Sequence, residues 1–362
     1  MATLTIKKNN ISHNLDQIRE VLNYNTKIMA MVKANSYGLG SVEISKYLES
    51  KGVDFFGVAY VKEAIELREN GINSNILVTS PFLEDDIQNI IDNNICVSVS
   101  DLVNLEKLNK YAITRNKKVK IHIKIETGMS RLGFNLEHLE ENLKIIKTYS
   151  AIVIDGIYTH LSSADSDKDY TINQINKFKQ AIKIANFLNI APTYIHALSS
   201  AGIVNFPEYQ FNMVRAGDIL YGYHPDSEIR SKIDIKPCAK LTAKILHISN
   251  YEEGTKISYN GTCTLNRDSK VATVQMGYAD GLFRALSNKY EVKVNDKKCK
   301  ILGNICMDMF MCDITDAGNV KLFDEVTILD YNEDIYKMAE ILNTIDYEIL
   351  SKLSSRVERK YL

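Results

Sequence analysis

The sequence predicts an α/β protein: a (β/α)8 barrel followed by a mostly antiparallel β domain. Over the first two thirds of the chain, short apolar runs alternate with longer amphipathic stretches, the pattern of βα units around a parallel sheet. Near Pro237 the texture changes to alternating residues punctuated by turns, as in an antiparallel sheet with one solvated face. The 362 residues also exceed what one ordinary core supports, so the barrel is expected over 1–236 and the β domain over 237–362.

Eight β-rich runs are the expected barrel strands: 27–32 (KIMAMV), 54–59, 74–80, 95–100, 119–125 (VKIHIKI), 152–160, 192–198 and 211–215. Between them, 61–70, 136–149 and 171–188 carry apolar residues at three- and four-residue steps, the spacing of helices with one buried face. After Pro237, the segments AKLTAKILHISNYE, GTKISYNGTCT, KVATVQMGYADG, YEVKVNDKKCKILG and DEVTILD read as strands and turns. No internal repeat or low-complexity linker separates the two parts, so they are expected to pack closely.

Composition narrows the function. With 44 Lys and Arg against 45 Asp and Glu, and no long run of one sign, nucleic acid and anionic membranes are not the expected partners. A small molecule fits better. The N-terminus has no apolar leader region and no stretch is long enough to span a bilayer, so a cytoplasmic protein is expected. The six cysteines are scattered without CxxC or Cys/His spacing, and the expectation is reduced thiols with no disulfide and no metal site.

The segment AMVKANSYGLG (30–40) places Lys33 just after an apolar strand, in a loop rich in Gly and Asn. In a barrel that is the C-terminal mouth, where active sites of this fold lie. A lysine on a rigid strand end can form a Schiff base with an aldehyde cofactor. From this segment alone, a solvated loop lysine is the simpler account.

Taken together with TGMSRLGF (127–134), DGIYTHLSSAD (155–165), NMVRAGDILYG (212–222), GTKISYNGTCT (254–264), MGYADGLFR (276–284) and GNICMDM (303–309), this segment resembles the alanine racemase family in order and spacing. The resemblance spans nearly the whole chain. It implies a barrel that binds pyridoxal 5'-phosphate, a C-terminal β domain, and a head-to-tail homodimer whose two active sites each draw on both chains. It also implies interconversion of L- and D-alanine, with D-alanine supplied to peptidoglycan.

Residue by residue, the resemblance implies that Lys33 is the Schiff-base lysine and Tyr259 the tyrosine reaching in from the partner subunit. The two form a pair of bases, the lysine serving the D-isomer and the tyrosine the L-isomer. Both groups titrate near 10 when unperturbed, and nearby positive charge favours the useful form of each. Arg215 matches the arginine that donates to the cofactor's pyridine nitrogen. A guanidinium cannot hand over a proton, so a weaker electron sink and fewer side reactions are expected. His160 matches a histidine between this arginine and the tyrosine. Phosphate would meet Tyr37, Ser200 and the backbone N–H groups of Gly217 and Asp218, the negative side chain of Asp218 being unhelpful there. Substrate carboxylate would meet Arg131 and the N–H of Met307, with Tyr278 lining the entry path. Lys124 matches a lysine often carbamylated beside that arginine, although a plain buried lysine also accounts for it.

The chain departs from the family in two places. Ser355 stands where many members carry a tyrosine near the cofactor phosphate and the substrate methyl, and Asn304 replaces an arginine often seen after the glycine. A serine at 355 would enlarge the pocket, which makes it a specificity candidate and keeps the serine racemases of vancomycin resistance as an alternative. A non-catalytic pyridoxal-phosphate carrier of the small barrel type is a more distant one, and lacks a β domain. A decarboxylase of related fold would need a catalytic Cys and a glycine-rich phosphate loop that this sequence does not show.

Overall fold

The protein is described here as a computed structural model covering residues 2–332 and 334–362. Its first strand is β1 (Thr3–Ile6), and eight parallel strands then close a barrel: β2 (Lys27–Met31), β3 (Phe55–Val58), β4 (Asn75–Val78), β5 (Cys96–Val99), β6 (Val119–Lys124), β7 (Ile152–Tyr158), β8 (Tyr194–His196) and β9 (Met213–Ala216). All eight expected runs form these strands. Closure comes from β9 lying against β2, with Lys27 opposite Met213 and Ala30 opposite Ala216.

The two-residue period of a strand decides what fills the barrel. Met29, Met31, Phe55, Leu77, Cys96 and Met213 point inward and form an apolar plug. Their neighbours Ile28, Ala30, Val32, Ile121, Ile123, Val214 and Ala216 point outward into the core shared with the helices. The expected helices at 61–70, 136–149 and 171–188 appear as Val61–Glu69, Leu136–Lys147 and Lys168–Phe187.

The second sheet is built on β10 (Ala239–Tyr251), followed by the short ribbon β11 (Lys256–Ile257) and β12 (Cys263–Thr264). The strands β13 (Ser269–Val274), β14 (Glu291–Val294), β15 (Lys297–Leu302), β16 (Phe310–Asp313), β17 (Glu325–Leu329) and β18 (Glu358–Tyr361) complete it. The order is β13-β16-β15-β14-β17-β10-β1-β18, and β10 pairs with β13 as well. A register shift between Ile245 and His247 allows this, because the early part of the long strand serves β1 and β17 and the later part serves β13.

Two features depart from the expectation. Residues 3–6 lie within the stretch assigned to the barrel, yet β1 runs antiparallel to β10 and parallel to β18. Leu4 and Ile6 are fully buried in that position, and the closed barrel offers no edge where they could pair. Two helices, Asp334–Leu342 and Asp346–Ser351, also interrupt the β texture near the end of the chain. Among the described residues, no helix is long and apolar enough to cross a membrane.

Candidate active site

The inward-facing rows become polar as they rise to the C-terminal mouth. Met29 and Met31 continue to Lys33, His122 to Lys124, Tyr158 to His160, and Met213 to Arg215 and Gly217, each step being two residues. These upper positions, together with Tyr37, Arg131, Ser200 and Asp218, line a cavity of about 660 Å³. The structure therefore brings Lys33, Tyr37, Lys124, Arg131, His160, Ser200, Arg215, Gly217 and Asp218 together at one mouth.

Immediately after Lys33 the backbone makes a left-handed helical turn. Ala34, Asn35, Ser36 and Tyr37 all have φ between 51° and 56°. The turn is closed by the N–H groups of Ser36 and Gly38 donating to the carbonyls of Val32 and Ala34, both at 2.9 Å. Such a conformation costs about 1–2 kcal/mol per residue for L-amino acids and is rare as a run. Glu63 holds it from outside, accepting the Ala34 N–H at 2.7 Å through one oxygen and the Ala59 N–H at 2.6 Å through the other. The lysine is thus tied to the ends of two adjacent strands. Burial lowers its pKa first, and Arg131 and Arg215 lower it further against the opposing pull of Glu63 and Asp218.

Arg215 is buried and held from behind. Nη1 donates to His196 Nδ1 at 2.7 Å, and Nη2 faces the carbonyls of Thr159 and Ala197, both at 2.8 Å, and His160 Nδ1 at 3.2 Å. An arginine only donates, so both histidines accept on Nδ1 and carry their hydrogen on Nε2. His196 Nε2 then donates to His122 Nδ1 at 2.8 Å. Burial drives all three imidazoles down, His122 to about 3, so the row is neutral behind a single cation. Tyr158 stacks on His196 at 4.7 Å and lies 5.0 Å beneath Lys124 Nζ. Burial and the Arg215 and Arg131 cations lower the Lys124 ammonium to about 7.

Opposite this cluster is a cradle for an anion. A side chain at Gly217 would put its Cβ 2.6 Å from Tyr37 Oη and 3.8 Å from Ser200 Oγ, so only glycine lets both hydroxyls approach this backbone. The Gly217 N–H points to Ser200 Oγ at 3.3 Å. Behind them the Asp218 carboxyl is pushed up by burial and pulled back by His224, whose Nε2 lies 3.8 Å away, and by the Ser200 hydroxyl.

Three of the expected catalytic and substrate-binding residues lie elsewhere. Tyr259 sits in the turn of the β11–β12 ribbon and is 70% exposed, while Tyr278 and Met307 are 44% and 53% exposed on the β domain. None of the three lines the cavity of its own chain.

Sequence comparison bears on this arrangement. Residues 6–225 match the family model of the alanine racemase N-terminal domain, and residues 238–361 that of the C-terminal domain. The chain belongs to the alanine racemase family. It is 40% identical to "Alanine racemase" of Methanococcus maripaludis, covering 97% of this chain and 96% of that one. It is 34% identical to "Alanine racemase 1" of Caldanaerobacter subterraneus subsp. tengcongensis, covering 97% and 92%. Among solved structures, alanine racemase of Clostridium difficile 630 superimposes with a TM-score of 0.97 at 35% identity, over 100% of this chain and 95% of that one. The alanine racemase from E. faecalis gives 0.91 at 32%, over 100% and 98%.

Within an alanine racemase fold, the serine-racemase alternative loses its structural basis. Ser355 is exposed and outside the cavity, because the neighbouring residues turn away to hold Asp280 through the Ser354 N–H and the Arg356 guanidinium. The side chains that reach the cavity from this segment are Tyr347 and Ser351, and Tyr347 meets the Tyr37 ring edge-on at 6.2 Å. The single-barrel carrier is excluded by the β domain. Sequence reasoning passed over Glu63, His122, Tyr158, His196 and Tyr347. The inward register of β6, β7 and β8 was the signal for His122, Tyr158 and His196. Glu63, at the third position of a helix, carried only the signature of an N-terminal cap.

Proposed function

We propose that the protein interconverts L- and D-alanine as a homodimer, with pyridoxal phosphate held on Lys33 and each site completed by the partner subunit's Tyr259, Tyr278 and Met307. The observation that carries this reading is an incomplete site: the barrel mouth supplies a lysine of lowered pKa, while the chain's own Tyr259 is displayed on an exposed ribbon outside that cavity. The mouth suits the cofactor, with an amine at one end and, at the other, the Tyr37 and Ser200 hydroxyls above a glycine whose Cβ would fill the cradle.

When bound, the cofactor supplies an electron-withdrawing ring that acidifies the substrate Cα–H. Lys33, as a neutral amine, takes the proton from the D-enantiomer, and Tyr259, as phenolate, takes it from the L-enantiomer. While one group removes a proton the other returns one to the opposite face, so the configuration inverts. Arg215, a guanidinium that donates hydrogen bonds without giving up its proton, would face the ring nitrogen of the bound cofactor and leave it unprotonated. His160 keeps Nε2–H free because Arg215 occupies Nδ1, which leaves it a donor to offer the partner subunit's Tyr259 oxygen. Arg131 and the Met307 N–H bind the substrate carboxylate.

Lys124 is carbamylated in this reading. An amine titrating near 7 is substantially neutral at physiological pH and can attack carbon dioxide, forming the N–C bond and releasing a proton. The resulting anion offsets the neighbouring Arg131 and Arg215 cations. Protein equilibrated with ¹³C-bicarbonate should give a carbamate resonance that is absent in Lys124→Arg. A spectrum without it would leave a plain lysine.

In this reading the protein works in the cytoplasm and supplies D-alanine to peptidoglycan. The deciding assay is purified protein with pyridoxal phosphate, given L-alanine or L-serine in separate reactions, with the D-isomers separated by chiral chromatography. D-Alanine should form and D-serine only weakly. Comparable serine turnover would revise the substrate, and turnover of neither would overturn the function.

A further inference from the structure

We infer that Asn304 is a positioning residue that aims the Tyr259 phenol, an inference resting on the proposed role of Tyr259. The ribbon that displays Tyr259 has only two residue pairs, Lys256 with Thr264 and Ile257 with Cys263. The turn beyond them is strained, since Ser258 adopts φ 65° and ψ −176°, a region otherwise left to glycine, and Asn260 and Gly261 follow with φ 63° and 54°. Local preference therefore does not hold this turn in place.

Contacts from the segment after β15 do. Asn304, 8% exposed, donates from Nδ2 to the carbonyl oxygen of Tyr259 at 2.8 Å. In return Ser258 Oγ donates to the carbonyl oxygen of Asn304 at 2.6 Å. The two backbones can approach because residue 303 is glycine, where a Cβ would stand 2.6 Å from the Ile257 carbonyl oxygen. Asn288 fixes the other side by accepting the Gly303 N–H at 2.6 Å.

The reciprocal pair holds the peptide unit after the tyrosine Cα by its carbonyl and the residue before it by the Ser258 side chain. A small rotation there is magnified at Oη, the far end of a long rigid side chain, and misplacement of a reacting group is costly. The resemblance implies an arginine at this position in many members, and this chain carries an amide there instead.

The test uses the holoenzyme and Cα-deuterated substrates. By symmetry the equilibrium constant of a racemisation is unity, so kcat/KM is the same from either enantiomer and cannot reveal which base is impaired. Primary isotope effects can. Asn304→Ala should lower kcat about tenfold, raise the isotope effect from deuterated L-alanine and lower that from deuterated D-alanine, because proton transfer at tyrosine becomes limiting. Asn304→Asp, isosteric but without the donor when ionised, should do the same. Mixed with Lys33→Ala subunits, Asn304→Ala subunits should return the isotope pattern of the unsubstituted enzyme, because the working site takes its tyrosine from the chain with an intact Asn304. A fall in kcat with unchanged isotope effects would reduce Asn304 to a structural residue and overturn the inference. So would an altered pattern that persists in the mixed dimers. Tyr259→Phe run alongside separates the two levels: if it shows the split and Asn304→Ala does not, the inference alone fails, and if neither shows it, the role of Tyr259 fails too.

Discussion

Lys33→Ala and Tyr259→Phe should each lose at least ~10³-fold in racemisation, yet a mixture of the two inactive proteins should recover activity. Random exchange of subunits puts half the protein into heterodimers. In these, one site receives Tyr259 from the Lys33→Ala chain and Lys33 from the Tyr259→Phe chain, and the other receives neither. About a quarter of the full complement of sites should then be intact. The expectation follows from Tyr259 lying outside the cavity that holds Lys33 of the same chain. Chiral chromatography after subunit exchange measures it, and no recovery, with heterodimers demonstrated by mass, would mean that each site is built from one chain.

Asp346→Asn should stabilise the protein strongly above neutral pH and hardly at all in mild acid. Asp346 is fully buried at the head of the helix Asp346–Ser351, and neither carboxyl oxygen finds a hydrogen-bond partner among the described residues. Burial, then the nearby Asp218 carboxyl, push its pKa up to about 7, against smaller opposing pulls from the backbone N–H groups of Tyr347 and Asp346 and then from Arg230. In the unfolded chain an aspartate titrates near ~3.9. Between these values the folded protein keeps a proton that the unfolded chain has released, so stability falls as pH rises from about 4 to about 7 and is level beyond. The loss is on the order of 4 kcal/mol, at 1.36 kcal/mol per pKa unit. An amide escapes it, so the gain in the unfolding midpoint should be large at pH ~8 and small at pH ~4.5. An equal gain at both would show that Asp346 is ionised throughout.

Much of the barrel was readable because eight β-rich runs each hold enough apolar residues to stand out from the helices between them. The strand Thr3–Ile6 was not, since it is four residues long and its pairing depends on residues 239–242 and 358–361. Lys33, Arg215 and Gly217 were legible through their motifs. The features that make Lys33 work were less so: a run of left-handed residues has no signal in Ala-Asn-Ser-Tyr, and Glu63 reads only as the acidic residue of a helix N-terminus. His196 shows how far register alone could have gone, since it stands two residues after Tyr194, which packs on the barrel's inner plug, in a strand whose inward face was inferable. Asp346 offered no such clue. Only burial, which arises from packing across the whole fold, turns an ordinary acidic residue into one with neither partner nor solvent.

The placement of Thr3–Ile6 also has a consequence for the order in which the molecule can be assembled. Synthesis delivers this strand well before its two neighbours, residues 239–242 and 358–361, emerge. The barrel strands between them can close as soon as residue 216 is available. While the intervening barrel is being made, Leu4 and Ile6 are therefore an unclaimed apolar segment, and the second sheet is fastened by joining strands made far apart in time.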